Sequence, residues 1–252
     1  MMKGMFARLL VTLVLMTHYS VGFAANAQTQ VFTSPETQTT LIELYTSEGC
    51  SSCPPADHWL SHWKNDPQLW KTVIPLAFHV DYWNYLGWTD RFAKSAYSAR
   101  QERYASRGYA RSVYTPGMFT NGREWRSWFR GRQLKSSSHT AGTLNVTLGP
   151  QELSADFDPA QAINRPLRLN IAVEGFDIQS SIRSGENQGK VLNHDFVVLT
   201  LQTLDENSAH RWQIPRNDLV LSQPHARAIV VWVTSDDDPT PIQATGGWLS
   251  TE

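Results

Sequence analysis

Both cysteines of this 252-residue chain lie within one short segment, LIELYTSEGCSSCPPAD, residues 41–57. Leu41, Ile42, Leu44 and Tyr45 read as a buried strand, residues 46–49 as a turn, and Pro54-Pro55-Ala56-Asp57 as the opening of a helix. This order brings the first thiol of Cys50-Ser51-Ser52-Cys53 to a helix N-terminus. Unpaired backbone N–H groups and the helix dipole favour a thiolate there, which is what dithiol–disulfide exchange requires. Pro54 and Pro55 have no N–H to give the carbonyls of Cys50 and Ser51. Regular helix is therefore expected nearer Pro54, which leaves residues 50–53 in a looser turn.

Three plainer roles compete for the pair. A structural staple between residues three apart closes a loop of about four residues, worth roughly 2 kcal/mol against more than about 4 for a long loop. Half of a zinc site needs two further ligands; His58, His62 and His79 are at hand, but no second Cys-x-x-Cys follows. Inert thiols are the third.

The N-terminus points to an oxidising compartment. Lys3 and Arg8, an apolar stretch over 9–16 and the ending Ala25-Asn26-Ala27 make the pattern of a secretory signal peptide over residues 1–27. The apolar stretch is far shorter than the roughly 20 residues that span a bilayer. A periplasmic or secreted protein with no stable membrane anchor is expected, where disulfides persist. The net charge of −1 gives no general reason to expect nucleic acid. It conceals an asymmetry, since residues 90–132 carry ten Lys/Arg against three acids. A solvated basic helix face and a surface that steers an acidic partner are the two readings of that stretch.

The chain divides by period. Over 39–134, KTVIPLAFHV (residues 71–80) reads as a strand buried on both faces, residues 90–108 as a helix ended by Gly108, and Asn121-Gly122 as a hairpin turn. A small polar linker follows Leu134. Over 143–252 the apolar residues alternate with period two, as in Leu144/Val146/Leu148, Leu167/Leu169/Ile171/Val173, Val197/Leu199/Leu201 and Ile229/Val231/Val233. Short alternating strands between turn residues predict an antiparallel β-sandwich-like domain.

Residues 41–122 resemble the thioredoxin superfamily in their order of strand, Cys-x-x-Cys at a helix start, strand, helix, and Thr-Pro entering a hairpin. LIELYTSEGCSSCPPAD, FHVDYWNYLGW, YTPGMFTNG and GENQGKVLNHDFVVL look closer still to a family of secreted bacterial proteins of unassigned function with a β-rich C-terminal extension. The implied fold class is an α/β thioredoxin-like domain over 39–134 followed by the β-sandwich-like domain over 143–252. The resemblance also implies roles. Cys50 is the attacking, more exposed thiol, and Cys53 the resolving thiol that releases a mixed disulfide. Thr115-Pro116 corresponds to a cis-proline loop that lies against the dithiol and offers backbone groups to an extended substrate peptide.

Glu43 stands in the strand among apolar residues, where a carboxyl is costly unless paired or protonated. It reads either as a proton acceptor for Cys53 or as one half of a salt bridge to an arginine of the basic helix. Glu48, two residues before Cys50, opposes a thiolate if close. In FHVDYWNYLGWTD, His79 and Asp81 are candidates for moving protons and Trp83 for an aromatic wall against substrate, at the carboxyl end of a parallel strand. Packing between the domains is the plainer role for the indoles.

The expected function is that of an exported thiol–disulfide oxidoreductase whose partners are protein thiols and disulfides and a redox partner protein. It needs no cofactor and assigns no metal ligand. A copper- or zinc-binding thiol/imidazole module, or a binding protein with a vestigial redox pair, are the alternatives. A fragment ending near Ser138 is expected to keep its dithiol chemistry.

Overall fold

The computed structural model describes residues 28–250 other than 131–133, 135, 206–208 and 222; the signal-peptide reading of residues 1–27 lies outside them. The elements run β1 (Gln30–Thr33), β2 (Thr40–Thr46), α1 (Pro54–Ser61), β3 (Val73–His79), α2 (Ser95–Ser106), β4 (Gly117–Thr120), β5 (Arg123–Glu124), β6 (Gly142–Leu148), β7 (Glu152–Pro159), β8 (Leu167–Gly175), β9 (Ile178–Ser181), β10 (Val191–His194), β11 (Val197–Asp205), β12 (Arg211–Pro215), β13 (Ala226–Ser235) and β14 (Gln243–Trp248).

Local chemistry sets the first elements. Every residue of β2 and β3 is buried, and the two strands pair in parallel from Thr40–Val73 to Thr46–His79. Helix α1 begins at Pro54, where the missing N–H groups of two prolines cost nothing. At the β4–β5 hairpin Asn121 and Gly122 both have positive φ, 45° and 76°. A Cβ on Gly122 would lie 2.6 Å from Cγ2 of Thr240, so only glycine fits this turn.

The expected α/β thioredoxin-like domain followed by a β-sandwich is not what the chain forms. The described residues hold fourteen strands against two α-helices. Eight strands make one mixed sheet in the order β14-β13-β8-β11-β3-β2-β4-β5. Strand β3 pairs with β2 on one edge and meets β11 on the other, where Val197 pairs Ala77 and the Ala77 N–H donates to the Phe196 carbonyl at 2.8 Å. The β-α-β unit is thus built into a sheet whose other half comes from the C-terminal strands. The physical reason lies in β13, whose AIVVWV run is apolar at consecutive positions and buried on both faces. Such a strand must be covered on two sides, and a sandwich layer covers only one.

Two faces result. On one, a second sheet (β1-β6-β7-β12) packs Leu144, Val146, Leu153 and Trp212 against Leu169, Ile171, Ile229, Val231 and Val233. On the other, Tyr97 and Tyr104 of α2 join Leu41, Tyr45, Phe78, Ala172, Val198, Val230 and Trp232. A third cluster under α1 unites Ile42, Leu44, Ala56 and Leu60 with Phe176, Phe196 and Ala228.

Candidate functional site

Strand β2 delivers the chain into a turn that is pinned on every side. The Cys50 N–H donates to the Ser47 carbonyl, and the Glu48 N–H to Asp90 Oδ2 at 2.9 Å. The Cβ of Trp83 would meet a Cβ on Gly49 at 3.3 Å. Residues 50–53 then make a tight turn, with the Cys53 N–H donating to the Cys50 carbonyl at 3.3 Å, and Cys53 is the N-cap of α1. Cys50 and Cys53 form a disulfide with their Cα atoms 5.5 Å apart.

Cys50 is only marginally more exposed than Cys53, 2% against 0%, so neither sulfur lies open to solvent. The cause lies more than a hundred residues on, in the turn between β9 and β10. There the buried Asn187 amide donates to the carbonyls of Glu48 and Cys50, both at 2.9 Å, and the Ser51 N–H donates to Glu186 at 3.0 Å. The Ser184 hydroxyl fastens the same turn to the Gly87 carbonyl. Ser51 and Ser52 remain exposed, and the Ser52 hydroxyl lies 3.4 Å from Cys50 Sγ.

Thr115-Pro116 is a cis bond. Gly117 pairs with Tyr45, so this loop stands at the same end of the sheet as the dithiol turn. Trp83 connects the two, its indole N–H donating to the Thr115 hydroxyl at 2.6 Å while its Cβ faces Gly49. Asp81 faces elsewhere and accepts from the Ser98 hydroxyl of α2 at 2.5 Å.

Glu43 points to α2. Arg100 binds it through Nε at 2.7 Å and Nη2 at 3.1 Å, and the hydroxyls of Tyr45 and Tyr104 donate to it at 3.0 and 2.6 Å. Of the two roles open to Glu43, the salt bridge is the geometry present.

Around the ends of β2, β3 and β10 and the first turn of α1 lies a buried ionic cluster that the sequence signalled only in part. His79 closes β3, and its Nδ1 is 2.7 Å from Asp90 Oδ2. The His79 ring meets that of His194, the last residue of β10, with centroids 5.1 Å apart. His194 Nε2 lies 3.5 Å from Glu48 Oε1, and Trp88 donates to Glu48 Oε2 at 2.7 Å. Asp57 is one turn along α1 from Cys53, with its N–H on the Cys53 carbonyl and its carboxylate accepting from the Thr46 hydroxyl at 3.1 Å. Asp57 and His194 were both legible, the first four residues after Cys53 and the second inside GENQGKVLNHDFVVL. Nothing local told that they converge.

The charges hold one another. Burial pushes the Asp57 carboxyl up from its ordinary value, against the pull of His194 and His79. Burial works against a charged His79, but Asp90, Asp57 and Glu48 outweigh it and raise its pKa. Burial is likewise overcome at Asp90, which His79 and the Glu48 and Phe92 N–H groups lower. At Glu48 burial is opposed by His194 and Trp88, and the pKa falls.

The signs differ between groups. The His79 contribution to stability is complete below its ordinary value of 6.5 and is lost as pH rises through the raised folded value. That of Asp90 is complete above its ordinary 3.8 and is lost as pH falls through the lowered value. Asp57, raised, favours the fold below its ordinary 3.8, and that contribution is lost as pH rises through its folded value. We expect the His79 imidazole, followed by NMR, to titrate above 6.5 and to move down in Asp90→Asn. A midpoint at or below 6.5 in the parent protein would remove His79 as a charged member of the cluster.

Comparison with known proteins places residues 41–234 within the family model described as protein of unknown function (DUF1223). A crystal structure of a protein from Agrobacterium tumefaciens has a similar fold, with a TM-score of 0.57 and 24% identity over 86% of this chain and 96% of that one. HBP35 of Porphyromonas gingivalis is also similar in fold, with a TM-score of 0.53 and 13% identity over 86% of this chain and 76% of the other. No functionally curated protein matches the chain.

Proposed function

The chain belongs to the DUF1223 family of proteins of unknown function, and we propose that this member is a thiol–disulfide oxidoreductase acting on exported polypeptides through Cys50 and Cys53. The observation that carries the reading is the placement of the chain's two cysteines, bridged at the head of α1 and flanked in the chain by Glu48 and Asp57 of a buried cluster of acids and histidines. A staple alone needs no such cluster beside it in the chain. The likeness of residues 41–122 to the thioredoxin superfamily supports the same chemistry, which the turn, the helix and the Thr115-Pro116 loop carry locally. The signal-peptide pattern of residues 1–27 supports a periplasmic or secreted setting.

The exchange is balanced within the two partners. A substrate thiolate attacks Cys50 Sγ; the Cys50–Cys53 bond breaks, a mixed disulfide forms, and Cys53 leaves as a thiolate that takes up a proton. A second substrate thiolate then attacks the substrate sulfur of the mixed disulfide and releases Cys50. Two electrons pass to the protein, and the substrate is left oxidised; the reverse sequence reduces it. Asp57, held above its ordinary pKa one turn from Cys53, is the group we assign to exchange a proton there, with His79 and His194 adjusting its charge. Trp83, Thr115 and Pro116 form the side from which substrate approaches. The turn over Asn187 must move for Cys50 to be reached, since the sulfurs are buried beside it.

The test is reduction of a generic protein disulfide such as insulin by dithiothreitol, with and without the protein. Turnover should rise well above the uncatalysed rate and fall back to it in Cys50→Ser, while Cys53→Ser should accumulate mixed disulfides through Cys50. Catalysis unchanged in Cys50→Ser, or a disulfide that dithiothreitol does not open in the folded protein, would overturn the assignment.

A further inference from the structure

Beside the dithiol helix the chain gathers four tryptophans that the chemistry above does not use. Trp59 of α1 is the centre, with the rings of Trp63, Trp125 and Trp128 edge-on to it at 6.1, 5.5 and 5.9 Å. Each is half-buried against the cluster under α1. Among the described residues, no indole N–H of the four donates to a protein acceptor, and none is a buried group lacking a partner. Phe129, at the tip of the helical turn Trp128–Arg130, is 61% exposed.

The charge around this patch is one-sided. Residues 123–130, REWRSWFR, hold three arginines and one acid. Arg126 is 56% exposed and only 3.8 Å from Glu124, and Arg130 lies over the Phe129 ring at 5.4 Å. Half-sunk indoles, an apolar tip and flanking arginines match the interface of a bilayer, where rings sit at headgroup level and cations meet anionic lipid. An acidic protein surface would complement the arginines but not the outward Phe129.

We infer that this patch docks the protein reversibly onto an anionic phospholipid surface. No helix among the described residues is long and apolar enough to cross a membrane, and the patch needs none. Docking there would hold α1, and with it the dithiol, beside the bilayer. The inference stands on the patch alone and is independent of the redox reading.

The test is co-sedimentation of the chain from residue 28 onward with vesicles of phosphatidylcholine, and of phosphatidylcholine mixed with phosphatidylglycerol. Binding should require the phosphatidylglycerol and weaken as salt is raised. Each arginine near an anionic surface strengthens binding about fivefold, so Arg126→Ser with Arg130→Ser should weaken it about 25-fold. Phe129→Ser should weaken it too, and the thermal midpoint of each variant would show that the fold is intact. Absence of binding to the mixed vesicles, equal binding to both kinds, or binding unchanged in the double variant would overturn the inference. Association with polyglutamate and not with vesicles would also overturn it, by assigning the patch to an acidic protein.

Discussion

A fragment of residues 28–138 will be unfolded, with neither a cooperative transition nor dithiol chemistry above that of a free peptide. This reverses the expectation that such a fragment keeps its activity. The fragment contains β2, β3, α1 and α2 but lacks Ala172, Val198, Val230, Trp232 and Ala244 from the cluster under α2, and Phe176, Phe196 and Ala228 from the one under α1. Trp232, Phe176 and Phe196 are among the largest fully buried side chains of the protein. Burial of each large apolar side chain is worth about 1.5–3 kcal/mol, and their partners Phe78, Tyr97 and Ala56 lose cover at the same time. Trp232, Phe176 and Phe196 with Val198 and Val230 make five large side chains, about 7.5–15 kcal/mol, as much as the roughly 5–15 kcal/mol by which a domain is stable. The outer edge of β3 would also stand open where Ala77 meets Phe196. Far-ultraviolet circular dichroism and a denaturant titration decide it; a cooperative transition in the fragment would show that the sheet is not one unit.

What the sequence made legible was local. Two prolines placed the start of α1, Asn121-Gly122 placed a hairpin, and KTVIPLAFHV placed a strand that proved buried throughout. Strand partners were not legible, because alternation tells which face of a strand is buried and not what lies beside it. Ile229, Val231 and Val233 were read as one apolar face, while Val230 and Trp232 between them are also apolar and fill the opposite one. That continuous run was the available sign of a central strand and argued against a separate sandwich. The site divided in the same way. Cys50 and Cys53 could be placed from spacing, and the Thr115-Pro116 loop from the family resemblance. Asp57, Asp90 and His194 become one cluster only because β10 returns to the head of α1, with Asn187 seated on the Cys50 turn.

Replacing Arg100 by leucine should destabilise the protein by about 3–5 kcal/mol, since breaking a buried ion pair leaves its partner charge without compensation. Arg100 is 2% exposed and Glu43 is fully buried. Burial works against the guanidinium charge, but Glu43, with the hydroxyls of Tyr104 and Tyr45, raises its pKa above the ordinary value. The guanidinium also lies within 5.5 Å of the Phe78, Tyr104 and Trp232 ring centroids, so its carbon and nitrogen atoms are packed as well as paired. At about 2–4 °C per kcal/mol for a chain of this size, the thermal midpoint should fall by roughly 6–20 °C. Glu43→Gln keeps the shape and an acceptor oxygen, so its loss should be smaller than that of Arg100→Leu. A change below about 1 kcal/mol in Arg100→Leu would make the pair no stronger than a surface contact. The same variants separate structure from chemistry. If Glu43 held the proton of Cys53, Glu43→Gln would shift the pH profile of thiol exchange. With its carboxylate taken up by Arg100 and two tyrosines, Glu43→Gln should lower stability and leave that profile in place, while Asp57→Asn moves it.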